Sequence, residues 1–78
     1  MNYTNLYNKL MEKAKFREEN NKLVGYKEIH HIIPRCLGGT DDKDNLVELT
    51  AREHFIAHLL LVKIYPNNLG LSFAVINL

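Results

Sequence analysis

Four histidines lie between positions 30 and 58, in two pairs that suit metal-assisted chemistry. His54 and His58 are four residues apart. On a helix that spacing stacks both imidazoles on one face, with Cβ atoms about 5–6 Å apart, close enough to grip one metal ion. His30 and His31 are adjacent. On a strand, neighbours point to opposite faces, so one imidazole can join the helical pair while the other serves a different purpose. Imidazole, with a reference pKa near 6.5, can take a proton from water near neutral pH. Three protein ligands leave coordination positions open, as a catalytic metal site requires. Either pair alone also reads as ordinary polar histidines. Their convergence in one short segment is what points to a site.

The elements that must position these residues can be read from local signals. Thr4 to Glu19 reads as a helix, with Leu6, Leu10, Met11 and Ala14 at spacings of three and four and Thr4 as the N-cap. Asn20, Asn21 and Gly25 end it. Tyr26 to Ile33 is β-prone, and Pro34 closes it because proline donates no ladder hydrogen bond. Arg35 to Asp44 is a loop dense in turn chemistry, with Gly38-Gly39 as its turn. Leu46, Val47 and Leu49 suggest a second short strand, completing a hairpin with a long connection. Thr50-Ala51-Arg52-Glu53 has capping-box form and opens a second helix that runs to about Lys63. Phe55, Ile56, Leu59 and Leu60 are expected to be its core stripe. Tyr65-Pro66-Asn67-Asn68 breaks it, and Leu71 to Leu78 reads as the start of a C-terminal helix, as in a truncated domain.

Composition bounds the function classes. With 78 residues the chain suits one domain, residues 1–78, with the motif at residues 26–66. A domain this small buries only about 60% of its unfolded surface, so a metal, a partner or further sequence would help hold it. The net charge of +1 does not announce nucleic-acid binding by itself, but a local basic face acts within a Debye length of about 8–10 Å. Cys36 is the single cysteine; it has no internal disulfide partner, fits a reducing cytoplasm and is read as structural. The first residues lack the basic and apolar regions of a signal peptide. No apolar run approaches the ~18 residues of a membrane span.

Glu28-Ile29-His30-His31-Ile32-Ile33-Pro34, Gly38-Gly39, Asp44-Asn45-Leu46, then His54 and His58, together resemble the HNH endonuclease motif. The His-His opening and His-x-x-x-His ending are most similar to the colicin DNase variant. Leu49 to His54 also resembles the HNH homing endonucleases carried by phages. The resemblance implies an α+β fold of the ββα-metal (His-Me finger) kind, with the N-terminal helix preceding the motif. It implies a metal-dependent endonuclease that hydrolyses DNA phosphodiester bonds, acting in the cytoplasm of a bacterial host if phage-encoded, with no membrane role.

Carried over by position, the resemblance makes His31 the general base, with His30, His54 and His58 holding one divalent metal. Asn45 would hold the loop that aims His31, and Glu28 matches an acidic position near the base. Many family members carry Asp where this chain has His30, so the metal stays open among zinc, magnesium, manganese and nickel. Arg35 and Arg52, beside the motif, are the first choices for phosphate contacts, ahead of Lys43 and Lys63. Two alternatives stand: a non-catalytic module whose four histidines hold structural zinc, and an inactive truncated remnant of a homing endonuclease. The position of His31 discriminates the first, since a closed site needs it as the fourth ligand.

Overall fold

The structure is a computed structural model that describes residues 1–20 and 22–76. In chain order it contains α1 (Tyr3–Asn20), β1 (Glu28–His31), β2 (Leu46–Leu49), α2 (Ala51–Ile64) and α3 (Leu69–Ile76), with short 3₁₀ turns at Arg35–Leu37 and Lys43–Asn45. β1 and β2 pair antiparallel, with His30 opposite Val47 and His31 opposite Leu46. The architecture is the α+β, ββα arrangement that the sequence leads one to expect, with α1 before it and α3 after it.

The interior is small. Tyr7, Met11 and Ala14 of α1, Val47 and Leu49 of β2, Ala57 and Leu61 of α2, and Leu71 of α3 form its buried apolar core. The stripe of α1 differs from the sequence expectation by one position: Tyr7 is buried, whereas Leu6 is exposed. The helix also begins one residue earlier than expected. Asn2, rather than Thr4, caps it, its Oδ1 accepting from the Asn5 N–H at 3.0 Å. The Tyr7-Met11-Ala14 spacing of four and three faces inward.

The start of α2 follows the sequence. The Thr50 side chain accepts from the Glu53 N–H, and the Glu53 carboxylate accepts from the Thr50 N–H. The expected core stripe does not form. Phe55, Ile56 and Leu59 are exposed, and of that group only Leu60 packs against the core. Ala57 and Leu61 are buried instead. At 100° per residue, a helix that turns His54 and His58 towards the hairpin puts Ala57 and Leu61 beside them and carries Phe55 and Leu59 round to the far side. α3 covers residues 69–76; positions 77 and 78 of the expected C-terminal helix, and Asn21 among the expected stop signals, lie outside the described residues.

A two-stranded sheet has open edges whose N–H and C=O groups need partners. α1 supplies them along β2. Lys15 Nζ donates to the Leu46 carbonyl at 2.7 Å, Arg17 Nη2 to the Glu48 carbonyl at 3.1 Å, and Glu18 Oε1 accepts from the Glu48 N–H at 2.6 Å. Arg17 also forks onto both oxygens of Glu53, at 2.8 and 3.0 Å. One guanidinium thus ties α1 to the strand and to the start of α2.

The Arg17 hydrogen bonds are the main reason the Glu53 carboxyl is held down to about 2, against an ordinary 4.5. A depressed folded-state pKa contributes stability that is present above about pH 4.5 and is lost as pH falls towards 2. Glu53→Gln keeps a capping side chain but removes the titration. Unfolding midpoints measured from pH 7 to pH 2 should therefore show the variant less stable at neutral pH, by about 1.5–3 kcal/mol for a hydrogen bond to a charged group. The difference from the wild type should shrink between about pH 4.5 and pH 2. A difference independent of pH would contradict the ion-pair account.

Candidate functional site

The hairpin and α2 bring three of the four histidines together. One ring nitrogen from each of His30, His54 and His58 falls within 4.8 Å of the others. The ring centroids of His30 lie 5.2 Å from those of both His54 and His58. His30 is buried and the other two are half-buried. They line an open cavity of about 350 Å³, whose walls include His31, Arg35, Cys36 and Leu71.

Hydrogen bonds assign the protons in this cluster. His54 Nδ1 lies 2.6 Å from Glu28 Oε1, so Nδ1 carries the hydrogen and Nε2 presents its lone pair. Glu28 also accepts from the Tyr26 hydroxyl. These two bonds, the Tyr26 one first, hold the Glu28 carboxyl below the ordinary carboxylate range. His58 Nε2 faces His54 Nε2 at 3.1 Å, and His58 Nδ1 is buried with no partner among the described residues. His30 Nε2 lies 2.7 Å from the Tyr7 hydroxyl, while His30 Nδ1 is buried and unpartnered among the described residues.

Burial is the first reason that His30 is pushed down to about 3 and His58 to about 4, and the neighbouring imidazoles add to it. Crowded neutral imidazoles with orphaned buried nitrogens are a donor set that fits a borderline divalent cation. The buried Nδ1 atoms cost free energy unless something accepts their lone pairs.

His31 is on the same strand but outside that set. Its Nε2 lies 2.7 Å from Asp41 Oδ1 and 3.3 Å from Arg35 Nε. One nitrogen cannot donate to Asp41 and accept from Arg35 at once. The shorter contact and the carboxylate charge assign the proton to Nε2, and Arg35 Nη2 has its own bond to Asp41 Oδ1 at 2.7 Å. His31 Nδ1 is then the free acceptor. The His31 and Arg35 hydrogen bonds, in that order, lower the Asp41 carboxyl.

Asn45 spans the loop between the strands. Its Oδ1 accepts from the Ile33 N–H at 2.8 Å, and its Nδ2 donates to the Ile33 carbonyl at 3.0 Å and to the Thr40 carbonyl at 2.8 Å. Gly38 takes a left-handed φ of 91° to close the turn, and Gly39 passes so close to the segment after β1 that a Cβ there would lie 1.7 Å from the Ile33 carbonyl oxygen. Arg52 is exposed on α2 and is not part of the cavity lining. Cys36 is exposed on the cavity wall, 3.8 Å from Asn68 Oδ1, rather than buried as a structural residue would be.

Sequence reasoning passed over Tyr7 and Asp41. Tyr7 could have been found from its spacing to Met11 and Ala14 on α1. Asp41 carried only a turn signal, and nothing in its spacing marks it as the partner of His31.

This ββα unit, with its histidine cluster and cross-braced loop, is the framework of a small metal-binding nuclease fold. Residues 15–52 match the HNH endonuclease family. The chain belongs to that family. It is 67% identical over 66 residues to "Probable mobile endonuclease E" of Enterobacteria phage T4, a match covering 85% of this chain and 45% of that protein. It is 61% identical over 75 residues to "Probable mobile endonuclease D" of the same phage, covering 95% of this chain and 29% of that protein. For "Probable mobile endonuclease B" the identity is 64% over 66 residues, covering 83% of this chain and 25% of that protein. The chain therefore spans less than half the length of these relatives. No solved structure matches it significantly.

Asn45→Ala removes three hydrogen bonds and leaves the Ile33 N–H, the Ile33 carbonyl and the Thr40 carbonyl without those partners. Each partly buried group so stranded costs about 1–3 kcal/mol, less where water can enter. Urea unfolding should show a loss of at least about 2 kcal/mol. A loss below about 0.5 kcal/mol, the range of ordinary surface substitutions, would mean that the loop is held by other contacts.

Proposed function

We propose that residues 1–78 form one HNH nuclease domain that hydrolyses DNA phosphodiester bonds with one divalent metal, as the nuclease part of a phage-type mobile endonuclease acting in a bacterial host cytoplasm. One observation carries this reading: three imidazoles gather within 4.8 Å of one another while His31, their neighbour on the strand, stays outside the set and is held by Asp41. A closed structural zinc site would use His31 as a fourth ligand, and its engagement elsewhere favours the enzyme.

In this reading His30, His54 and His58 hold the metal, and Glu28 keeps His54 aimed through the Nδ1–H bond. A bound divalent cation supplies Lewis-acid stabilisation of the charge that builds on the phosphate oxygens. His31 Nδ1 takes the proton of the attacking water, while Nε2–H stays on Asp41. Asn45 keeps the loop carrying Thr40, next to Asp41, at a fixed distance from Ile33, close to His31. Arg35, on the cavity wall in an exposed ion pair of small net value, can exchange Asp41 for a phosphate, and exposed Arg52 adds a backbone contact outside the cavity. An all-imidazole donor set favours zinc, nickel or manganese over magnesium in affinity.

Plasmid nicking across a panel of metals tests the proposal. His31→Ala should lower cleavage about 10²–10⁴-fold and leave zinc affinity intact. Full activity in that variant would remove His31 from the mechanism. Zinc should also raise the melting midpoint, since a ligand at 100 times its Kd stabilises the folded state by about 2.7 kcal/mol. The rise should vanish in His54→Ala and in His58→Ala. Identical melting curves with chelator and with excess zinc would refute the metal site.

A further inference from the structure

Tyr7 stands outside the ββα unit, on the buried face of α1, yet its hydroxyl touches the first histidine of the cluster. Its bonds can run in only one direction. The hydroxyl has a single hydrogen, and the Ile32 carbonyl, 2.6 Å away, can only accept it. The Tyr7 oxygen must then accept from His30 Nε2, 2.7 Å away, so Nε2 carries the imidazole hydrogen. A neutral His30 is thereby left with its lone pair on Nδ1, the buried nitrogen with no partner. The rings of His54 and His58 lie 5.2 Å from that imidazole, centroid to centroid.

We propose that Tyr7 is a positioning residue of the metal site: it fixes the His30 tautomer so that Nδ1 is the metal-binding atom, and so makes α1 a functional part of the site. This rests on the reading of His30, His54 and His58 as the metal ligands. A further feature supports it. The relay ends on the residue next to His31, so one side chain braces the backbone beside both the ligand and the proposed base.

The test uses the whole chain, with zinc as the probe, and does not depend on cleavage. Nitrogen-15 NMR of the metal-free wild type should show His30 protonated on Nε2 alone. Tyr7→Phe keeps the ring in the core and deletes the relay. It should populate the other tautomer and weaken zinc binding about 10–100-fold, the usual cost of losing such a partner. Met11→Ala, a packing change on the same buried face, should lower stability and leave zinc affinity within about twofold. His30 protonated on Nδ1 in the wild type would overturn the inference even if Tyr7→Phe failed to fold. So would a folded Tyr7→Phe chain that binds zinc as tightly as the wild type, or a loss of affinity that follows stability equally in both variants. A wild-type chain that binds no zinc would overturn the metal-site reading and this inference with it.

Discussion

Burying the imidazole of His30 is a constraint that α1, β1 and α2 must satisfy together. His30 is 2% exposed, and the buried apolar core it joins has eight members among the described residues. A polar ring so placed is costly unless both nitrogens are used. Tyr7 of α1 answers one nitrogen, and the rings of the helical pair His54 and His58 lie 5.2 Å from the imidazole, centroid to centroid. Moving α1 away by an ångström or two would strand the second nitrogen as well. The site and the core are therefore one packing problem rather than a site carried on a core.

The same economy governs the sheet. Two four-residue strands cannot stand alone in water. β2 turns its inner face, Val47 and Leu49, to the core, and its outer edge is met by Lys15, Arg17 and Glu18 of α1. These partners carry charge, which strengthens the bonds and fixes their direction. α1 thus serves the hairpin along its edge and the histidine cluster through Tyr7. Arg17 adds the link to Glu53, whose carboxylate also closes the capping box of α2. Helix capping, strand-edge pairing and site assembly share a few side chains, which suits a chain too short to give each task its own.

Adjacent residues on β1 meet two chemical environments because the strand period is two. His30 faces the crowded interior, where its neighbours leave a lone pair unpartnered. His31 faces the other way, half-buried at the strand end, where Asp41 holds one nitrogen and leaves the other free. The loop that delivers Asp41 is braced by Asn45 and has no side chain at Gly39, where a Cβ would collide with the Ile33 carbonyl. A membership in the HNH endonuclease family is consistent with this division between a gathered trio and a separately held imidazole.

Most of what depends on neighbours within a few residues was legible in the chain itself, the cap of α1 at Asn2 rather than Thr4 being an exception. The Thr50–Glu53 capping box, the hairpin signalled by Pro34 and Gly38-Gly39, the four-residue spacing of His54 and His58 and the opposed faces of His30 and His31 all act over one turn or one strand. Local backbone geometry sets them, and local sequence encodes that geometry. What periodicity could not supply was the rotation of each helix against the rest. A run of apolar residues on α2 offers two faces, and the tertiary fit exposed Phe55, Ile56 and Leu59 and buried Ala57 and Leu61. The contact between Tyr7 and His30 spans 23 residues, that between Glu28 and His54 spans 26, and the Asp41–His31 pair closes a ten-residue loop. For His30, His31 and His54, which nitrogen carries the proton follows from those contacts, because a hydrogen-bond partner is chosen by where packing brings the chain back, and no spacing rule records that return.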